Sequence, residues 1–217
     1  MDTNHFKVYS TMNPPGIPNE LLPELGSMDI YLIDQILKGR IQKNTTILDA
    51  GFGKGRNLLF FASKGMDVYG VDHNCDNQAL VKEVCLEYDK KFDTSKIIHG
   101  KTEALPFKNH KFDLVLSIAV LHFSNSDKHF IQQLNELERV LKPKGYLFIR
   151  MHSWHTMYPQ KNTASNILEN DQGIRYLFDL ELFESWKKKK ALDFEDPIKP
   201  VSVEIRRTMN TIVLKKK

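Results

Sequence analysis

From Thr46 onward, short continuous apolar runs alternate with longer stretches of helical period. Thr46-Ile47-Leu48-Asp49 reads as a buried strand. It is followed by the glycine-rich Gly51-Phe52-Gly53-Lys54-Gly55, and Arg56–Lys64 reads as a helix stopped at Gly65. The cycle repeats with a strand over Asp67–Val71, a helix over Asn77–Lys90 and a strand over Lys96–His99. A strand over Phe112–Ser117 comes next, then a helix over Asp127–Leu141 that turns Phe130, Ile131, Leu134, Leu137, Val140 and Leu141 inward. Lys142-Pro143-Lys144-Gly145 turns the chain into a fifth strand, Tyr146–Met151. Strands spaced by helices in this way require right-handed crossovers and a mostly parallel sheet. The continuous apolar strands agree, because parallel strands are buried on both faces. The pattern predicts an α/β, doubly wound, mostly parallel sheet.

The two ends depart from the alternation. Pro14, Pro15, Pro18 and Pro23 break up residues 1–27 into an irregular arm, whose length and position make it a possible lid over the site. Residues 28–217 are expected to form one domain. Ser27 is placed to cap a helix running to Leu37, with Ile30, Ile33, Ile36 and Leu37 on one face. Beyond Met151, the polar Ser153–Asn170 reads as a mobile loop, Gly173–Phe178 as a short strand and Leu180–Lys189 as a helix. Val201–Arg206 and Met209–Leu214 alternate as strands that either pair with each other or extend the sheet edge.

Composition narrows the class. With 217 residues, 41% hydrophobic and 27% charged, the chain can bury a full core without disulfides or a structural metal. Its longest mostly apolar stretch, Phe112–Phe123, falls short of the roughly 20 residues that cross a bilayer, and the first twenty residues lack the apolar centre of a signal peptide. Cys75 and Cys85 make neither a disulfide framework nor a zinc set, so reduced thiols and a cytoplasmic setting are expected. The net charge of +4 is mild and resides largely in Lys187–Lys190 and Lys215–Lys217, so nucleic acid is not the expected partner.

The chemistry points to the loop after the first strand. Sheets of this kind bind ligands at the carboxyl ends of their strands, near the point where strand order reverses. Glycines there let backbone approach a ligand, and the next helix presents free N–H groups. About twenty residues on, Asp72 closes the second strand, placed to accept from a ribose diol. The dinucleotide fingerprint needs a third glycine where this chain has Arg56. Asp49, two residues before the first glycine, suits an ammonium or sulfonium better than a pyrophosphate, which favours an S-adenosylmethionine-like ligand over NAD.

The run ILDAGFGKGR, then VYGVDHN, GKTEALPFKNHKFDLVLSIAVLHF and LERVLKPKGYLFI, resembles a class I S-adenosylmethionine-dependent methyltransferase over Ile47–Arg150. Within that family, GRNLLFFASKGMDVYGVDHN is similar to the tellurite-resistance and related small-molecule methyltransferases. The resemblance implies a seven-stranded Rossmann-like sheet with an antiparallel C-terminal strand, and S-adenosylmethionine as cofactor. It implies that Asp49 lies near the methionine ammonium, that Gly51, Phe52 and Gly53 line the methionine with backbone, and that Arg56 opens the next helix. Asp72 then holds the ribose, His73 flanks adenine, Thr102 and Glu103 belong to the adenine loop, and Ser117 touches cofactor through its backbone. His122 falls between cofactor and substrate. Lys101 stands where many relatives have an adenine-accepting Asp, and lysine cannot accept a hydrogen bond.

Other groups carry less. His122 and His155 are candidates to take a proton from a hydroxyl acceptor, and no base is assigned between them. Arg150, His152, Trp154 and His155 are expected to wall a substrate pocket; no carboxylate is spaced to complete a metal site with these histidines. At most one of the neighbours Arg206 and Arg207 can face a substrate. Asn13-Pro14-Pro15 lacks the aromatic and the position of the signature of amino-methylating enzymes, which disfavours amino-group methylation of DNA. The expected function is methyl transfer to a small-molecule acceptor. An RNA or protein methyltransferase, a non-catalytic adenosyl-binding module and an oxidoreductase remain alternatives, since a fold hosts many functions.

Overall fold

The computed structural model describes residues 25–153, 166–170, 173–204 and 207–217. The arm expected over residues 1–27 lies outside the described residues up to residue 24. Helix α1 (Ile30–Leu37) is followed by β1 (Ile47–Ala50), α2 (Leu58–Ser63), β2 (Val68–Asp72), α3 (Cys75–Tyr88), β3 (Ile97–His99), β4 (Phe112–Ile118), α4 (Asp127–Val140) and β5 (Leu141–Ser153). Strands β1 to β5 are parallel in the order β3-β2-β1-β4-β5, so strand order reverses between β1 and β4. That reversal leaves a crevice at their carboxyl ends.

The C-terminal strands complete a mixed sheet. β10 (Arg207–Lys216) runs antiparallel to β5, from Thr208 opposite Ser153 to Lys215 opposite Tyr146. Its other edge carries two separate segments: β8 (Leu192–Phe194) beside Leu214–Lys216, and β9 (Lys199–Glu204) beside Arg207–Thr211. Eight strands thus occupy seven positions, the outermost shared by β8 and β9. Both alternatives for the last two strands are realised, since β9 pairs with β10 and β10 extends the sheet.

Two expectations need correcting. The end of the polar stretch read as a loop forms strand β6 (Ile167–Asn170), paired antiparallel with β7 (Gly173–Tyr176) in a separate two-stranded sheet. Ile167 and Leu168 are the apolar residues of β6, and pairing with β7 supplies the strand's backbone hydrogen bonds. Helix α1 is capped by Asp29 rather than Ser27: its carboxylate accepts from Tyr31 N at 3.0 Å. Helix α5 (Leu180–Lys188) falls where predicted, capped by Asp179.

The sheet buries both faces. On one, Leu48, Val115, Leu147 and Ile149 pack beneath Phe130, Leu134 and Leu137 of α4 and Phe183 and Trp186 of α5. On the other, Ile47, Leu116 and Phe148 meet Leu32 of α1, Leu58 and Phe61 of α2 and Val81 and Cys85 of α3. Each large side chain buried in this way contributes about 1.5–3 kcal/mol. Burial pushes the Cys85 thiol up to about 11, which keeps it unreactive. Among the described residues, no helix is long and apolar enough to cross a membrane.

Candidate active site

A cavity of about 460 Å³ opens at the carboxyl ends of β1, β2 and β4, bounded by Gly51, Asp72, His73, Gly100–Glu103, Val120, Phe123, His129 and Gln133. Its floor is backbone. After β1, Gly51 takes φ +86, and a Cβ there would stand 2.3 Å from Val120 Cγ2. Only glycine combines that conformation with so close an approach. After β4, Ala119 is also left-handed, at φ 61, and its N–H donates to the Arg150 carbonyl at 2.8 Å. Strain of this kind in a non-glycine residue gathers at functional sites.

Two buried acids flank the glycine loop in different states. The Asp72 carboxylate accepts from Gly53 N at 2.7 Å, Asn74 N at 2.9 Å and Asn77 Nδ2 at 3.3 Å, tying the loop to the end of β2. A carboxylate offers about four acceptor positions, so one is left for a ligand. Asp49, 2% exposed, has its Oδ2 buried without a hydrogen-bond partner. Burial pushes its pKa up to about 7, opposed by the nearby Arg56 charge and by the Leu58 backbone N–H, and reinforced by the Asp72 charge.

Sequence reasoning missed the group behind this loop. The Asp29 carboxylate, 1% exposed, takes the Arg56 guanidinium at 3.2 Å and that of Arg150 in a buried ion pair. Arg150 also lies 4.5 Å from the Tyr31 ring, and Asp29 N donates to Asn57 Oδ1 at 2.9 Å. The start of α1, the start of α2 and the end of β5 are thereby pinned together. Arg150 is thus turned toward Asp29 and does not line the cavity, contrary to its expected place in a substrate wall. Trp154, His155 and Arg206 lie outside the described residues.

The remaining candidates divide between wall and interior. His73 reaches the cavity with its side chain 82% exposed. Phe52 is buried against Gly70, which leaves only its backbone for a ligand. Thr102 Oγ accepts from Gln133 Nε2 at 2.8 Å, and Gln133 Oε1 accepts from Ser124 Oγ at 2.7 Å. Glu103 stands 3.5 Å from His129 Nε2; His129 Nδ1 accepts from Asn125 N, which places the neutral ring's proton on the nitrogen facing Glu103. Ser117 is fully buried in β4, its Oγ without a partner, and does not border the cavity with its side chain. His122 is buried, its ring stacked on His152 at 4.2 Å and 20° and standing 4.5 Å from Phe123. The wall residues Val120, Phe123, His129 and Gln133 went unread. The signal for Val120 and Phe123 was their place directly after β4, at the reversal of strand order, whereas His129 and Gln133 reach the cavity from the first turns of α4.

Residues 48–149 match a family model described as a methyltransferase domain. The sequence resemblance to class I S-adenosylmethionine-dependent methyltransferases, read over Ile47–Arg150, falls on the same stretch. The chain is 30% identical over 145 residues to an uncharacterized protein of Methanocaldococcus jannaschii, covering 65% of this chain and 57% of the relative. It is 27% identical over 109 residues to a tRNA (carboxymethyluridine(34)-5-O)-methyltransferase of Arabidopsis thaliana, covering 50% and 24%. The chain spans about half the length of the first curated relatives it matches. A solved SAM-dependent methyltransferase structure from Methanosarcina mazei superposes with a TM-score of 0.63 at 20% identity, covering 87% of this chain and 99% of that one, a likeness of fold.

Proposed function

We propose that this protein transfers a methyl group from S-adenosylmethionine to a small-molecule acceptor. The carrying observation is the cavity between Gly51 and Asp72, because it joins a backbone floor only glycine permits to a buried carboxylate with an acceptor position left. Its volume of about 460 Å³ falls in the range of about 300–1,000 Å³ typical of small-ligand sites.

When bound, S-adenosylmethionine supplies an electrophilic methyl group on a sulfonium. The protein's own part is to bind, orient and exclude water. In this reading Asp72 accepts from the ribose diol, and the unpartnered Asp49 Oδ2 faces the methionine ammonium. Backbone of Gly51, Phe52, Gly53 and Ser117 lines the cofactor, while His73, Thr102 and Glu103 border the base. Arg56 acts as a positioning residue through Asp29. A hydroxyl acceptor needs its proton taken, and His122, beside the wall residue Phe123, is the described group suited to it.

Charge placement supports a small acceptor over a polyanion. In the two lysine runs, Lys187 lies 3.6 Å from Glu184, Lys190 3.3 Å from Glu138, Lys216 2.6 Å from Glu138 and Lys217 3.2 Å from Asp193. Those cations already have acidic partners. The second reading, RNA methylation, draws on the Arabidopsis relative.

Calorimetric titration of wild type and Asp72→Ala with S-adenosylmethionine, S-adenosylhomocysteine and NAD tests the proposal. Binding of both adenosyl ligands, lost in the variant and absent for NAD, is the expected result. A folded wild type that binds neither adenosyl ligand would overturn it.

A further inference from the structure

The cavity mouth holds a ring and a cation that the proposed cofactor contacts leave unused. Phe123 borders the cavity yet is 60% exposed, unusual for a large apolar side chain placed beside a pocket. Arg175, on β7, sets its guanidinium 5.0 Å from the Phe123 ring centroid. Its hydrogen bond within the protein runs from Nη1 to its neighbour's carbonyl, Ile174 O, at 2.8 Å. Among the described residues no carboxylate pairs with it, so most of its five N–H donors are available.

The hairpin that carries this cation is firmly seated. Next to Arg175, Tyr176 is fully buried; its hydroxyl donates to Asp127 Oδ1 at 2.7 Å, and its ring stacks on Phe130 at 4.8 Å. Burial, then the Asp127 carboxylate, pushes the Tyr176 phenol far above its usual range, so it remains a donor. Asn166 Nδ2 donates to the same Asp127 oxygen at 3.1 Å, and Phe178 N donates to the His152 carbonyl at 2.9 Å. Successive strand residues face opposite ways, so the anchoring of Tyr176 presents Arg175 on the other side, over Phe123. A guanidinium held 5.0 Å from a ring centroid by cation–π attraction keeps its N–H fork for a carboxylate or phosphate, which it binds through two parallel N–H bonds.

We infer that Phe123 and Arg175 form the acceptor site, and that the acceptor is a small anion: a carboxylate or phosphate carried on a flat or apolar body. The body rests on Phe123, and the anionic group meets Arg175. Behind Phe123 lie the stacked rings of His122 and His152. This assignment rests on the methyltransferase reading and names the class of its second substrate.

The test titrates protein saturated with S-adenosylhomocysteine with benzoate, phenyl phosphate, the neutral benzyl alcohol and a ten-nucleotide oligouridylate, for wild type and Arg175→Gln. At least one small anion is expected to bind about tenfold or more tighter than benzyl alcohol. In Arg175→Gln that gap closes while S-adenosylhomocysteine affinity, the control for folding, holds. Benzoate against phenyl phosphate then tells which anion the site takes. The inference is overturned by equal affinities for charged and neutral probes, or by a gap that survives in the variant. It is equally overturned if the oligouridylate binds tightest through Arg175, which would favour RNA. Failure of S-adenosylhomocysteine to bind folded wild type is a different result: it removes the methyltransferase reading, and the acceptor site with it.

Discussion

The glycine-loop wall of the cleft is secured by buried ion pairs, whereas the hairpin wall is secured by a phenol and an amide on one carboxylate and by stacked rings. On the first, Asp29 joins Arg56 and Arg150, and Asp72 binds the loop through Gly53. On the second, Tyr176 and Asn166 share one Asp127 oxygen, and Tyr176 stacks on Phe130. A buried charge that loses its partner is costly, so the first wall admits almost no variation. A hydrogen bond to a carboxylate is worth about 1.5–3 kcal/mol and a stacked ring pair about 1 kcal/mol, so the second wall can lose one contact while the fold persists.

Removing the central charge should break this contrast most sharply. Asp29→Ala leaves Arg150 buried without a counter-charge and deprives α1 of its cap, at an expected loss of about 3–5 kcal/mol. Urea denaturation measures it, and a loss below about 1 kcal/mol would mean that the pair contributes no more than a surface one.

Asp49 should show the same wall's sensitivity to pH. The folded protein keeps the Asp49 proton up to about pH 7, while an unfolded chain releases it near the ordinary value of 3.8. Between those values the native state binds more protons, so this group's contribution to stability falls as pH rises through that window. Asp49→Asn removes the slope. The variant should match wild type near pH 4 and exceed it by on the order of 4 kcal/mol at pH 8 without cofactor. Parallel stability curves at pH 4, 6 and 8 would contradict the assignment.

The hairpin should respond least. Tyr176→Phe deletes one hydrogen bond to the Asp127 carboxylate, which keeps its bond from Asn166, for an expected loss of about 1.5–3 kcal/mol. S-adenosylhomocysteine affinity should be unchanged within error. A severalfold drop would show that the two walls are coupled.

The legible part of the molecule is the part built from local repeats. The β1–α2–β2 unit showed in the sequence because its apolar runs, glycines and caps lie within thirty residues of one another. Asp49 and Asp72 were readable from their places at the ends of predicted strands. Asp29 was not, since its partner Arg150 lies 121 positions away and neither residue has local meaning beyond a helix cap and a strand end. β8 escaped for a related reason: Leu192–Phe194 is too short to show alternation and becomes a strand by pairing with β10. β6 likewise depends on its pairing with β7.

What the sequence by itself determined was the order of elements, the parallel half of the sheet and a resemblance to methyltransferases over Ile47–Arg150. Those follow from hydrophobic period and from residue types whose backbone demands are local, such as a glycine at Gly51. The tertiary structure alone decided which charges meet behind the loop, that Asp49 loses water enough to hold its proton near neutrality, and that Arg175 stands over Phe123. Burial and pairing are properties of the space between distant segments, and a linear pattern carries no measure of that space.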